Sequence, residues 1–151
     1  MTTEFVYATY IKSTPAKVWE AITSQEFQRQ YWGDGISADW NKKGSKWHKE
    51  TSGACSIHGE VLESNPPKRL VITWVDAAEN STSKVTYEIE AIEDLVCLNV
   101  VHSGLEAGSN TAGKVAIGWP RVISCIKTLL ETGKPLNTWA GLDMNHDKDA
   151  A

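Results

Sequence analysis

Tryptophan occurs seven times in this chain, against four tyrosines and two phenylalanines. A ring of that size carrying a single N–H donor suits an apolar pocket that must still orient a polar group. Trp47, Trp74 and Trp119 fall where side chains should face inward, so they either line a ligand or fill the space themselves. Trp32, Tyr87, Leu98, His102 and Ile123 complete the candidate ligand-binding set. Trp19 reads as plain core under the first helix, and Trp40 and Trp139 read as surface cover. His102 ends an inward-facing row. A lone histidine there is more often hydrogen-bonded core than catalyst, yet it is the best polar candidate for a pocket. Tyr7 and Tyr87 would add hydroxyls to the same wall.

An enzyme of ordinary acid–base type needs a paired acid and base, or a nucleophile beside a base, on those inner rows. The rows that alternation assigns inward are Phe5, Tyr7, Thr9 and Ile11; Leu70, Ile72 and Trp74; Val85, Tyr87 and Ile89; and Val96, Leu98 and Val100. They hold no carboxylate, and no GxSxG, HExxH or phosphate-loop pattern occurs elsewhere. Catalysis would rest on His102 or a tyrosine alone, which suits only water addition or cyclisation, so the residues favour binding over turnover. Cys55 and His58 have a ligand-like gap, but zinc needs three or four donors and no second Cys or His pair stands at suitable spacing. Neither a metal nor another cofactor is expected.

Positioning these side chains requires a sheet and a cover for it. Glu4 to Lys12 alternates as a strand; Thr14 and Pro15 then open a helix through Val18, Trp19 and Ile22, and Ser24 stands as cap for a second, Gln25 to Trp32. Gly33 and Gly35 break it, after which Ile36 to Trp40 and Ser45 to Lys49 read as short strands. Gly59 to Trp74 spells a hairpin, with Asn65, Pro66 and Pro67 as its turn and Leu70, Ile72 and Trp74 as one apolar face. Ser83 to Ala91 alternates strictly, Glu93 and Asp94 turn the chain, and the next strand runs from Leu95 to His102 and ends at Ser103–Gly104. From Thr111 to Thr132 the period becomes helical, with Val115, Trp119, Val122, Ile126 and Leu129 on one stripe and Gly133 as C-terminal cap. Pro120 cannot donate to the carbonyl of Ala116 and predicts a kink or a fresh start there.

The totals bound the answer. At 151 residues, 41% hydrophobic and 23% charged, the chain suits one domain over residues 1–142, with a frayed tail over 143–151. A net charge of −4 with scattered basic residues leaves no footprint for nucleic acid. No segment reaches a membrane span and no leader peptide is visible, so a soluble, cytoplasmic protein is expected. Three widely spaced cysteines read as reduced thiols. An exposed edge near Ile36 to Trp40 would allow pairing with a copy of the chain, hence a possible homodimer. The element order gives an α+β fold. A curved antiparallel sheet of about six to seven strands wraps one long C-terminal helix, with two short helices after the first strand and a hollow between sheet and helix.

The segments IKSTPAKVWEAIT, GEVLESNPPKRLVITW, SKVTYEIE, VVHSGLE and GWPRVISCIKTLLETG resemble, in order and spacing, the START-like (SRPBCC) superfamily and its activator of heat-shock protein 90 ATPase homologue branch. The likeness spans about Phe5 to Pro135. It implies the helix-grip fold and a cavity for a small hydrophobic or aromatic molecule, although members range from lipid carriers to cyclases to co-chaperones. Gly44-Ser45 stands where relatives often carry Gly-Gly, and Ala54 to His58 reads as an atypical loop at the cavity mouth. The co-chaperones grip their partner with an extra N-terminal domain that this chain lacks, so the resemblance points to a ligand ahead of a chaperone partner.

Overall fold

The computed structural model describes residues 1–32, 38–51 and 54–137. The elements run β1 (Thr2–Ile11), α1 (Pro15–Thr23), α2 (Gln25–Tyr31), β2 (Lys46–Thr51), β3 (Ala54–Asn65), β4 (Arg69–Asp76), β5 (Ser81–Ile92), β6 (Leu95–Glu106) and α3 (Asn110–Thr132). The strands form one six-stranded sheet in the order β1-β6-β5-β4-β3-β2, every pair antiparallel. This is the helix-grip arrangement expected from the sequence.

Local chemistry sets the helix ends. Thr14 accepts the Lys17 amide at 3.3 Å and Pro15 opens α1, as its missing N–H costs nothing in a first turn. At α3 the Ser109 hydroxyl accepts the Ala112 amide at 3.1 Å, and Gly133 closes the helix in the left-handed region at φ 80°, its N–H donating to Leu129. α3 has 23 residues, which makes it about 35 Å long. It lies against β1 and β6, with α1 and α2 packed beside it.

Five expectations change. α3 runs through Pro120 as one helix, so the proline neither ends nor restarts it. Ser24 precedes α2 but makes no side-chain cap. Ala54 to His58 is not a loop but the start of β3, paired with β2. β6 does not end at Ser103–Gly104, because Gly104 adopts φ 75° without steric cost and Leu105, buried at the far end, still pairs with Thr3. Trp40, expected on the surface, is 4% exposed and packs on Trp47 with ring centroids 5.7 Å apart. Of the strand expected over Ile36 to Trp40, and the dimer edge placed there, Ile36 and Ser37 lie outside the described residues; Ala38 and Asp39 are irregular and Trp40 enters a turn. Trp139 and the 143–151 tail also lie outside them.

Gly59 marks a local opening of the sheet. The Thr73 carbonyl accepts the Trp47 indole N–H at 3.0 Å, and the Glu60 amide turns to the Thr73 hydroxyl at 2.8 Å. A side chain at position 59 would bring its Cβ within 2.0 Å of the Thr73 oxygen and 2.6 Å of the Trp47 nitrogen. Both neighbours are fixed, one by the backbone and the other by the core. Gly59→Ala is therefore expected to lose about 3 kcal/mol of unfolding free energy in urea titrations, with Ala substitution at exposed, open Gly113 as the tolerated control.

Candidate functional site

The interior between sheet and α3 is built from rings. Trp47 on β2, Trp74 on β4 and Trp119 on α3 are each 3% exposed or less. Trp32 follows the last turn of α2 and packs on all three. It stacks on Trp47 at 6.4 Å with planes 4° apart, and meets Trp74 at 5.7 Å and Trp119 at 6.0 Å in tilted contacts. Such offset and tilted geometries suit the quadrupoles of aromatic rings. Trp32 alone among these four is only partly buried.

His102 joins the cluster through a chain of hydrogen bonds. The Trp119 indole N–H donates to His102 Nδ1 at 3.0 Å, so that nitrogen carries no proton and Nε2 carries it. Nε2–H then donates to the Ser83 hydroxyl at 2.7 Å, and that hydroxyl donates to the Trp74 carbonyl at 3.3 Å. Both ring nitrogens are thus engaged in a residue with no solvent exposure. Burial drives the His102 pKa down to about 3, so the imidazole is neutral at physiological pH. An imidazole without a free lone pair is no general base in this arrangement. Burial likewise pushes the Tyr87 phenol up, and its ring meets Trp119 edge-on at 5.8 Å.

All eight residues expected to line a pocket, Trp32, Trp47, Trp74, Tyr87, Leu98, His102, Trp119 and Ile123, come together in one core. The expected hollow is another matter. Among the described residues, the space left between Trp32, Trp74, Val115, Gly118, Trp119 and Val122 is about 10 Å³, room for one water at most. The rings fill the wedge. An open cleft of about 410 Å³ instead lies on the outer face of the sheet, lined in part by Lys46, His48, His58 and Glu60 and floored by Trp47 across Gly59.

Two inward-facing charged residues escaped the sequence reading. Asp76 continues the inner row of β4 past Trp74, and is 4% exposed. It accepts from the Thr111 hydroxyl at 2.9 Å and lies 3.6 Å from the Lys114 ammonium. Glu79 accepts the Thr111 and Asn110 amides at the N-terminus of α3 and contacts the Thr111 hydroxyl; those hydrogen bonds hold its carboxyl below the usual range. Lys49 faces inward from β2, two residues beyond Trp47, and is 8% exposed. Simple alternation from Trp47 and Trp74 would have placed both Lys49 and Asp76 inside. Among the described residues, no three His, Cys, Asp or Glu side chains gather closely enough to hold a metal ion.

The family described as Activator of Hsp90 ATPase homolog 1-like protein matches residues 12–131. The chain belongs to this family. Its members' fold recurs in solved structures. The Aha1 dimer from Colwellia psychrerythraea is 20% identical, with 87% of this chain and 98% of that one covered at a TM-score of 0.74. CalU16 from Micromonospora echinospora is 18% identical over 86% and 77%, with a TM-score of 0.72. An HSP90 activator from Plasmodium falciparum is 23% identical over 84% and 95%, also at 0.72. At these identities the likeness shows the shared fold. No curated protein matches the chain. Among the described residues of this family member, no helix is long and apolar enough to cross a membrane.

The His102 chain sets a pH dependence. The folded pKa of about 3 lies below the ordinary 6.5, so between those values the unfolded chain binds a proton that the folded one does not. The stability tied to neutral His102 is complete above pH 6.5 and is lost as pH falls toward 3. Urea unfolding between pH 7 and 5 should therefore show stability falling by up to about 1.4 kcal/mol per pH unit once histidine begins to titrate. His102→Asn should flatten that slope while lowering stability at pH 7.

Proposed function

We propose that this protein binds a flat, apolar or aromatic small molecule, whose ring takes the place now held by Trp32. One observation carries the reading: Trp32 is the partly exposed member of an otherwise buried cage of three indoles, and it sits at the end of a short helix. The cage offers a stacking surface and tilted walls to any planar ring. The site is not preformed, so a ligand binds only the fraction of molecules in which Trp32 has swung out. Exposing that ring costs about 2 kcal/mol, which weakens apparent affinity roughly thirtyfold relative to an open site. The engagement of both His102 nitrogens supports binding ahead of turnover.

A second reading, a partner-binding module of the chaperone-activator kind, is favoured by a feature of the outer surface. Ile117 and Leu136 are 53% and 48% exposed and border an open groove with Pro120, Arg121 and Ser124 on the side of α3 away from the sheet. Ligand titration separates the two. With indole and naphthalene as probes, the wild-type protein should bind at millimolar concentration with the Trp32 side-chain resonance moving most, and Trp32→Ala should bind about thirtyfold more tightly. A wild-type protein indifferent to both probes at that concentration removes the ligand reading, and Ile117→Glu in a chaperone ATPase-stimulation assay then tests the groove.

A further inference from the structure

Among the described residues, no charged partner accounts for the placement of Lys49. Its side chain points to the inner face of β2, on the same side as Trp47, and it is 8% exposed. It pairs across the strand with Ile57, itself 5% exposed. Among the described residues its ammonium has no hydrogen-bond or ion-pair partner, whereas Lys46 reaches Glu60, Lys114 reaches Asp76 and Lys127 reaches Glu131. Lysine is among the residues least often buried, and drawing its stem and ammonium this far from water without a counter-charge is costly; the ammonium keeps some solvent contact, since the enclosed side-chain polar atoms without a partner among the described residues are Ser13 Oγ and Gln28 Oε1. Burial accordingly lowers its pKa. A methionine or leucine would fill the same volume without that cost.

The described carboxylates at this end of the sheet do not serve it. Asp76 stands opposite Ile57 on the next strand. Its Cα therefore lies two inter-strand spacings, roughly 10 Å, from that of Lys49, with Ile57 between them. It is already engaged by Thr111 and Lys114. Glu79 is committed to the first amides of α3. Among the described residues, Lys49 is thus a largely buried cation to which no carboxylate is paired.

Its distance from the cage is set by the strand. Residues two apart on one face are separated by roughly 6.6 Å, and Trp47 is the ring on which Trp32 stacks. A ligand ring lying on Trp47 in place of Trp32 therefore has Lys49 alongside, within the length of an extended lysine side chain. We propose that the ligand is an aromatic carboxylate, its ring held by Trp47, Trp74 and Trp119 and its carboxylate by Lys49. The inference rests on the ring-exchange reading above and names the chemistry of the guest. A charge-assisted hydrogen bond beside the ring cage adds selectivity for the anion over any neutral analogue of the same shape.

The test is calorimetric titration of the full chain at pH 7 with indole-3-carboxylate and its uncharged counterpart, indole-3-carboxamide. Wild-type protein should prefer the carboxylate about tenfold or more. Lys49→Met should lose that preference, the two probes then binding alike, and Lys49→Arg should restore part of it. Equal binding of the two probes by the wild type, or a preference that survives Lys49→Met, overturns the assignment to Lys49 and leaves ring exchange standing. Failure of the wild type to bind either probe overturns both. Should a variant not fold, the wild-type comparison decides.

Discussion

A straight helix laid on a twisted sheet leaves a wedge between them that widens along its length, and this protein fills that wedge with indole. The filling is what every other feature must accommodate. Aliphatic side chains such as Ile11, Leu98 and Ile123 fill the space where the layers are close. Farther along, Trp74, Trp119, Trp47 and Trp32 meet in one stacked and several tilted contacts. Each ring brings a polar N–H that the interior must satisfy. For two of them the molecule meets that requirement, by opening β3–β4 at Gly59 for Trp47 and by placing His102 and Ser83 under Trp119. Packing and polar satisfaction are in this way one problem with one solution.

That solution limits chemistry. His102 occupies the place where a cleft enzyme would keep its base, but it serves as a relay between an indole and a serine, desolvated and neutral. Among the described residues, the charged groups that face inward sit at margins: Lys49 on the edge strand β2, and Asp76 at the last residue of β4 beside the N-terminus of α3. Polarity is graded across the interior: dry and aromatic at the centre, charged at the margins.

Much of the architecture was legible because its signals are local. Thr14–Pro15 announces α1 through its own hydrogen bond, the alternation of Ser83 to Ala91 carries its register, and Gly133 closes α3. The candidate site was legible as a set of residues, since alternation decides which side of the sheet a residue faces. That the rings close the space was not, because whether a void survives depends on the rotamers of large rings from separate elements, which no local pattern encodes. Trp40 was misplaced for the same reason: it lies in a turn, where exposure is the rule, and is buried by the distant Trp47. Gly104 suggested a strand end, but a glycine also permits a strand to continue through a left-handed residue when a buried leucine follows.

The ring cluster has an optical consequence. Trp40, Trp47, Trp32, Trp74 and Trp119 form an unbroken series in which each centroid lies no more than 6.4 Å from the next. At such separations the electronic transitions of neighbouring indoles couple, which adds exciton bands to those of the separate rings. The ultraviolet dichroism of this protein then carries bands of tryptophan origin laid over the backbone signal. Helix content taken naively from that spectrum reports the aromatic lattice as much as the peptide.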